Sequence, residues 1–207
     1  MRIILASASR GRLGVLRGAG LDPLVEVSEV DEDALLATLR GASPAKVVTA
    51  LACAKAGAVG ERMAPAVSDG VVLGCDSMLS VDGELVGKPG TEEVARRRWA
   101  SMAGRSGQLI TGHAVLRLAH GAVGQVAAGH AVTTVHFGRP SAAELDAYLA
   151  SGEPLGVAGG FTLDGLGGWF VSRIEGDASN VIGISLPLTR KLLTEVGIVV
   201  TELWNLG

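Results

Sequence analysis

The sequence has few of the residues that form disulfide frameworks, metal centres or aromatic cores. Cys53 and Cys75 are its only cysteines, and two thiols make neither a disulfide framework nor a zinc site. The four histidines lack the spacing of metal ligands, so none of them is assigned a role. Aromatic residues make up 3% of the chain, whereas 48% of it is hydrophobic. We therefore expect a sizeable core that is aliphatic.

The sequence also lacks a basic excess and long apolar runs. The formal net charge is −3, which argues against non-specific binding to nucleic acids, because such binding requires a basic face. The apolar runs are shorter than a membrane-spanning helix needs, and the N-terminus has no signal-peptide hydrophobic region. We expect a cytoplasmic protein with neither nucleic acid nor membrane as a partner. Its 207 residues suffice for one domain, compact or divided into two lobes that share a cleft.

The chain instead alternates strand-like and helix-like segments, which predicts an α/β fold. Strands are predicted at residues 2–6, 24–27, 108–118, 123–137, 169–175 and 198–203. Helices are predicted from Ser7 onward and at residues 44–58, 91–102, 141–150 and 186–196. The two long strands enclose a turn at His120-Gly121, and Thr111-Gly112-His113 is expected to interrupt the first of them as a bulge.

The first strand leads directly into a serine-rich helix start at Ser7-Ala8-Ser9. The backbone amides and the dipole at such a position can hold an anion. Arg10 and Arg12 lie in the first turn of this helix, where a cation is unfavourable against the dipole, so we expect them to face a negative group. For Ser7 and Ser9 alone, simple capping of the helix is the more common role.

Charged residues elsewhere have an ordinary interpretation and a functional one. Residues 29–33 include four acids, which is typical of a solvated loop or of a helix start. Together with Asp76, these acids could bind a hard cation through oxygen atoms. Lys55 is predicted late in the helix 44–58, where a surface lysine that complements the helix dipole is the default interpretation.

Residues 71–89, VVLGCDSMLSVDGELVGKP, form the segment around which the rest of the chain is organised. The pair Asp82-Gly83 between apolar and β-branched runs predicts a β-hairpin. A two-residue loop would leave Asp76 and Lys88 on opposite faces. A three-residue loop at residues 81–83 would set them directly opposite each other and supply each buried charge with a partner. We predict the three-residue loop, and a purely structural ion pair is the alternative interpretation of these two residues.

A glycine-rich segment, residues 152–168, carries Asp164. Backbone amides in such a loop can approach a ligand closely, although composition alone does not identify the ligand.

The spacing of the glycines and of the serines excludes three common motifs. Residues 83–88 place three residues between their glycines where a P-loop requires four. Residues 165–168 lack the final glycine of a dinucleotide fingerprint, and no Gly-x-Ser-x-Gly elbow occurs.

Short motifs along nearly the whole chain resemble those of the Maf family, which is similar to nucleoside triphosphate pyrophosphatases of the inosine-triphosphatase-like fold. The matching motifs are Leu5-Ala6-Ser7-Ala8-Ser9 with Arg12, Ser28-Glu29-Val30-Asp31-Glu32, Ala54-Lys55-Ala56, Gly74-Cys75-Asp76-Ser77, Asp82-Gly83-Glu84, Gly87-Lys88-Pro89, Gly152-Glu153-Pro154, Ala158-Gly159-Gly160, Gly165-Leu166-Gly167-Gly168, Glu175-Gly176-Asp177 and Val181-Ile182-Gly183. Each motif is weak alone, and their order and spacing make the resemblance strong. It implies a single Maf-like domain over residues 1–207, with a two-lobed, mixed-sheet α/β fold, a central active-site cleft and, as in many members, a homodimer.

The resemblance implies hydrolysis of a nucleoside triphosphate to the monophosphate and pyrophosphate with a divalent metal, Mg²⁺ or, as the alternative, Mn²⁺. The implied catalytic residues are Asp76, Lys88 and Lys55. The implied metal ligands are Glu32 and Asp76. The residues implied to bind the substrate are Ser7, Ser9, Arg12, Ser77 and Asp164.

The chain departs from the family pattern at positions that matter for the base. Gly11, Ser77 and Asp164 replace the Arg, Thr and Gln of members that act on dTTP and UTP. Gly11 also replaces the tryptophan of the 7-methyl-GTP branch, so the base preference is open. Val157 replaces a lysine and Asp164 replaces a glutamine, which removes one positive charge and adds one negative charge. This change lends weight to a non-catalytic nucleotide-sensing or division-regulating binding protein as the alternative function. A nucleotidyltransferase would need a second acceptor pocket. In the enzyme, Asp76 could accept a proton or orient metal and water, and we favour orientation.

Overall fold

A computed structural model describes residues 1–205 as a mixed α/β protein. The strands are β1 Arg2–Leu5, β2 Leu24–Val25, β3 Asp69–Val81, β4 Glu84–Val86, β5 Ser106–Ala119, β6 Ala122–Phe137 and β7 Val171–Glu175. The helices are α1 Arg10–Gly18, α2 Glu32–Thr38, α3 Pro44–Met63, α4 Glu92–Met102, α5 Ala142–Ala150, α6 Ala178–Ile182 and α7 Leu186–Glu195. Short 3₁₀ turns lie at Ala64–Ala66, Glu153–Gly156, Ala158–Gly160, Leu166–Phe170 and Val200–Leu203.

The strands form one mixed sheet in the order β2-β1-β3-β5-β6-β7, with β4 paired to β3. Strand β1 runs parallel to β2 and to β3, whereas the pairs β3–β4 and β6–β7 are antiparallel. The predicted mixed-sheet α/β class is therefore confirmed. The predicted turn between the long strands is also present, because His120 and Gly121 both have positive φ angles, 54° and 75°.

The chain divides into two compact units. The first comprises Met1–Asp76, Thr111–Ala131 and the described residues from Gly183 onward, and the second comprises Ser77–Ile110 and Val132–Ile182. Strands β3, β5 and β6 contribute residues to both units. The expectation of one shared active-site cleft stays a prediction.

The core of the first unit is aliphatic, as expected. Alternate residues of β1 belong to two different hydrophobic clusters, one on each face of the sheet, because successive side chains of a strand point to opposite faces. Ile3 and Leu5 pack with Leu192 of α7, whereas Ile4 packs with Val59 of α3. Both faces of the strand are thus covered, which explains its unbroken apolar sequence.

The core of the second unit gathers aromatic residues, contrary to the expectation of an aliphatic core throughout. The Trp99 ring is fully buried and lies edge-to-face against Phe137, Tyr148 and Phe170, with ring centroids 5.8, 6.0 and 5.9 Å away. The Trp99 indole N–H donates to the carbonyl oxygen of Gly160 at 2.9 Å. The few aromatic residues are therefore concentrated where their large apolar area and packing geometry stabilise one unit.

Helix starts follow the sequence signals. Ser43 caps α3 with Pro44 in its first position, and Ser141 with Glu144 forms the capping box of α5. Helix α3 extends to Met63, beyond its predicted end. Among residues 1–205, no helix is both long enough and apolar enough to cross a membrane.

The β3–β4 hairpin has a two-residue loop, so the predicted three-residue loop is wrong. Ser80 pairs with Leu85 and Val81 with Glu84, and this register would bring Lys88 level with Ser77. The predicted placement of Lys88 directly opposite Asp76 is therefore also wrong. Asp82 and Gly83 have φ angles of 52° and 84°. Two such residues form a turn whose twist matches that of the strands, and an aspartate tolerates this conformation.

The predicted strand at residues 198–203 is also wrong. Gly197 ends α7 with a φ angle of 76°, and the Ile198 amide donates to the carbonyl oxygen of Leu193 at 2.9 Å. The following residues form the 3₁₀ turn that buries Leu203. The β-branched run favoured a strand, but the cap of α7 satisfied the Ile198 amide instead. Similarly, β7 begins at Val171 rather than at Trp169, which lies in a 3₁₀ turn.

Candidate active site

A lysine in the first unit joins two carboxylates. Lys55 Nζ donates to Asp76 Oδ1 at 2.6 Å and lies 2.9 Å from Glu32 Oε1. The side chains of Lys55 and Asp76 are each 11% exposed, whereas that of Glu32 is 50% exposed. The structure therefore brings together three of the predicted site residues. The partner of the buried Asp76 is Lys55 on α3, and not the lysine that the hairpin register predicted.

Two glycines allow helix α3 to lie close enough for this contact. A Cβ atom at Gly74 would lie 2.4 Å from the carbonyl oxygen of Ala52, and one at Gly112 would lie 2.1 Å from that of Val48. Both distances are shorter than van der Waals contact, so a side chain at either position would push the helix backbone away from β3 or β5. Lys55 follows Ala52 by one turn and is thereby carried onto Asp76.

Glu32 begins helix α2 rather than remaining in a loop. Asp31 caps this helix by accepting a hydrogen bond from the Ala34 amide at 2.9 Å. Glu32 and Asp33 then occupy the first turn, where acidic side chains complement the dipole. The acidic run that predicted a solvated loop or a helix start is therefore a helix start, and its cap directs Glu32 to Lys55.

Arg12 is held in place by groups on both sides of its guanidinium. Its Nη1 donates to Ser7 Oγ at 2.9 Å, and its Nε donates to the Gly183 carbonyl oxygen at 2.9 Å. Ser9 caps α1 by accepting a hydrogen bond from the Arg12 amide at 3.3 Å. The capping role that residue type favoured is thus confirmed for Ser9, whereas Ser7 orients the arginine. Ser7, Ser9 and Arg12 form the second group that the structure assembles.

The remaining predicted residues belong to the second unit. Ser77 follows Asp76 on β3 and is half-buried, and Lys88 is exposed in the segment after β4. Backbone contacts fix that segment, because the Gly87 carbonyl oxygen accepts from Arg98 Nη1 at 2.5 Å and from the Gly159 amide at 3.0 Å. Burial lowers the pKa of Arg98. The assignment of Lys88 to the site stays a prediction from the resemblance.

Asp164 is exposed in the glycine-rich segment, whose anchor is a residue that was not predicted. Glu153 accepts hydrogen bonds from Thr162 Oγ1 at 2.5 Å and from the amides of Leu166 and Gly167 at 3.0 Å each. Burial acts to raise the pKa of Glu153, but the hydrogen bonds, led by that of Thr162, outweigh it and lower the pKa. The Gly152-Glu153-Pro154 motif was visible in the sequence, but its partners lie 9 to 14 residues away.

Cys75, next to Asp76, is buried and unsuited to nucleophilic chemistry. Burial raises the pKa of its thiol to about 11. Since the thiolate is the reactive form, this side chain serves packing. It lies in the same cluster as Leu5 and Leu73.

The site offers a divalent cation two carboxylates. Among residues 1–205, no group of three or more histidine, cysteine, aspartate or glutamate side chains could hold a metal ion. Mg²⁺ is commonly bound in proteins by one or two carboxylates together with water and substrate phosphates. Glu32 and Asp76 fit that requirement, whereas they do not make a cage for a tightly held structural metal.

Comparison with known proteins identifies the family of the chain. A family model described as Maf-like protein matches residues 2–196. A protein from Nocardia farcinica is 63% identical over 204 residues, which cover 98% of this chain and 96% of the relative. One from Saccharopolyspora erythraea is 62% identical over 206 residues (99% and 98%), and one from Rhodococcus jostii is 63% identical over 203 residues (97% and 95%). All three are named nucleoside triphosphate pyrophosphatase.

Proposed function

The chain belongs to the Maf-like protein family, and on this basis we propose that it hydrolyses a nucleoside triphosphate to the monophosphate and pyrophosphate. The observation that carries the proposal is the 62–63% identity, over nearly the whole chain, to relatives named nucleoside triphosphate pyrophosphatase. The Lys55 bridge between Asp76 and Glu32 supports it, because it collects the acidic and basic groups that phosphoryl chemistry uses.

Attack of water on the α-phosphorus requires neutralisation of phosphate charge and an anionic leaving group held in place. Arg12 lies at the first turn of α1, where helix amides and a guanidinium can act on the same anion. The planar guanidinium of Arg12 can bind two phosphate oxygens at once. The hydrogen bonds to Ser7 and to the Gly183 carbonyl oxygen fix the plane of this group. Arg12 therefore binds and orients the polyphosphate.

Glu32 and Asp76 would hold the divalent cation, Mg²⁺ or alternatively Mn²⁺. When bound, such a cation neutralises phosphate charge and makes water a better nucleophile. Asp76 Oδ1 is already engaged by Lys55, so we assign Asp76 the orientation of water and metal rather than the acceptance of a proton. Lys55 keeps the buried carboxylate in a fixed position before the substrate arrives.

Three further roles rest on the resemblance. Lys88 would neutralise phosphate oxygens, and Ser77 and Asp164 would contact the nucleotide. Because Gly11, Ser77 and Asp164 differ from the residues of members that act on dTTP and UTP, no base preference is assigned. A cytoplasmic location and a homodimer are part of the same proposal.

Pyrophosphate release from a panel of standard and modified nucleoside triphosphates, with and without Mg²⁺, tests the function. We expect pyrophosphate and monophosphate in equal amounts, and only with the metal. Tight binding without release would instead indicate the nucleotide-sensing or division-regulating protein. Pyrophosphate release accompanied by a nucleotidylated acceptor would indicate a nucleotidyltransferase.

A further inference from the structure

His113 is a buried histidine to which the proposed function gives no role. It lies in the part of β5 that belongs to the first unit and is 1% exposed. The Ser185 amide lies 2.7 Å from its Nε2 atom. Since a backbone amide can only donate, Nε2 is the acceptor and the neutral ring carries its proton on Nδ1. Nδ1 lies 3.1 Å from the Thr111 carbonyl oxygen and donates to it. Both ring nitrogens are therefore engaged.

Ser185 connects this histidine to helix α7. Ser185 is 2% exposed. Its side-chain Oγ caps α7 by accepting a hydrogen bond from the Leu188 amide at 3.2 Å. Ile184, the preceding residue, is fully buried. The backbone just before α7 is thus fixed by the His113 hydrogen bond, by the cap and by the burial of one side chain.

Gly183, at the start of this segment, contacts Arg12. Its carbonyl oxygen accepts from Arg12 Nε at 2.9 Å. Its φ angle of 125° is one that residues with side chains rarely adopt, and a Cβ atom there would lie 3.2 Å from Arg12 Nε. The arginine therefore lies directly against a short segment, residues 183–185, whose far end is held by His113.

We propose that His113 is a positioning residue for Arg12. It fixes the segment 183–185 through the Ser185 amide, and this segment fixes the guanidinium through the Gly183 carbonyl. Binding of two phosphate oxygens depends on the orientation of the guanidinium plane, so a displaced carbonyl weakens polyphosphate binding. The inference rests on the proposed function only for the identity of the anion.

Two substitutions separate the two hydrogen bonds of His113. In His113→Gln, the side-chain oxygen reaches the position of Nε2 and can accept from the Ser185 amide. In His113→Asn, the shorter amide reaches the position of Nδ1, keeps the donation to Thr111 and leaves the Ser185 amide without its acceptor. We expect His113→Asn to raise the KM for the triphosphate about tenfold, with a much smaller change in kcat. A tenfold loss corresponds to about one hydrogen bond to a charged group. His113→Gln should restore most of this loss.

A double-mutant cycle with Arg12→Ala distinguishes positioning from general destabilisation. Once Arg12 is absent, His113→Asn should raise the KM no further. Penalties that add, or a folded His113→Asn variant with an unchanged KM, would overturn the proposal. Thermal unfolding shows whether each variant is folded.

A second pair of variants applies if neither histidine variant folds. Gly183→Ala places a Cβ atom 3.2 Å from Arg12 Nε at a φ angle of 125° that alanine rarely adopts, so it displaces the same segment from its other end. Gly14→Ala on α1, where no atom lies within 4 Å of the added Cβ atom, is the matched control. The proposal predicts that Gly183→Ala alone weakens anion binding. Equal affinity in the two variants would contradict it.

Calorimetric binding of inorganic tripolyphosphate separates this inference from the proposed function. A wild-type protein that releases no pyrophosphate would refute the function, and the His113 variants would then be compared by their Kd for tripolyphosphate. The same tenfold loss and rescue are expected there. Absence of tripolyphosphate binding to the wild-type protein would overturn the inference.

Discussion

At the scale of single residues, Lys55 determines the electrostatics of the candidate site. Two carboxylates converge on its ammonium group, and the contact with Asp76 is almost completely shielded from water. Breaking a buried pair by removing one partner leaves an uncompensated charge, which is strongly destabilising. The pair therefore has a structural consequence besides its proposed functional role, and experiments on it must measure folding and binding separately.

Asp76→Asn is the residue-scale prediction for catalysis. The amide keeps the shape of the side chain and can still accept a hydrogen bond from Lys55 through its oxygen, but it binds a divalent cation poorly. We expect pyrophosphate release to fall by about 10³-fold or more, as for loss of a principal catalytic group, while nucleotide affinity changes little. The two measurements are steady-state release and calorimetric titration with the nucleotide in the absence of metal.

Glu93→Gln is a suitable control for this comparison, because Glu93 is an exposed acid on α4 whose contact is with Arg97 of the same helix. It removes the same charge and should leave both quantities unchanged. Parallel losses of turnover and of nucleotide affinity in Asp76→Asn would show that the aspartate serves binding and not the chemical step.

At the scale of secondary-structure elements, the approach of α3 to β3 decides whether Lys55 reaches Asp76. Gly74→Ala would place a methyl group 2.4 Å from the Ala52 carbonyl oxygen, so the helix must move. Overpacking of this kind lowers the free energy of unfolding by about 1–3 kcal/mol. We expect the same substitution to lower kcat, because it moves Lys55 away from its carboxylates. Chemical denaturation and steady-state kinetics measure the two effects.

Gly57→Ala on the same helix is the matched control. No atom lies within 4 Å of a Cβ atom built at Gly57. Alanine is the better helix former, so this variant should gain up to about 1 kcal/mol in the free energy of unfolding and keep its activity. A Gly74→Ala protein as stable and active as Gly57→Ala would refute the close-packing explanation.

Glu153 makes the glycine-rich segment sensitive to acid. Its folded-state pKa is lower than the ordinary 4.5, so its stabilisation is fully present above that value and is lost as the pH falls through the folded-state pKa. We expect Glu153→Gln to lower the free energy of unfolding by about 1 kcal/mol at pH 7, because the hydrogen bonds of the carboxylate are only partly shielded from water. Urea denaturation of both proteins between about pH 7 and pH 3 measures the effect.

The difference between Glu153→Gln and wild type should shrink as the pH falls below about 4.5, where the carboxylate of the unfolded wild-type chain takes up a proton. It should be lost below the lower folded-state pKa, where the folded carboxylate is neutral as well. A difference that stayed constant down to pH 3 would show that the shape of the side chain, and not its charge, holds the segment. Glu144→Gln, whose carboxylate belongs to a helix cap instead, offers a comparison with another acid of lowered pKa.

At the scale of the whole molecule, the sequence predicted most elements because their signals are local. Ser43-Pro44 marked the start of α3, and Ser141 with Glu144 marked α5. The error at residues 198–203 arose because a β-branched run favours a strand only where a neighbouring strand accepts its hydrogen bonds. Here the cap of α7 satisfied the Ile198 amide.

The site was harder to predict, because its contacts join distant segments. The partner of Asp76 was inferred from a hairpin register, although the Asp82-Gly83 pair alone favours the two-residue loop that the structure has. Lys55 lies 21 residues before Asp76, and only the family resemblance identified it. Helical periodicity gives the face of a helix but not its distance from a sheet, which here depends on Gly74 and Gly112. The links from His113 to Arg12 span still longer separations.

Hydrolysis in ¹⁸O-labelled water, with the triphosphate that the panel shows to react fastest, tests the central claim most directly. Mass spectrometry of the products locates the new oxygen. Attack at the α-phosphorus predicts one ¹⁸O atom in the nucleoside monophosphate and unlabelled pyrophosphate, with both products dependent on Mg²⁺. Label in the pyrophosphate, or no pyrophosphate from any triphosphate tested, would contradict the account.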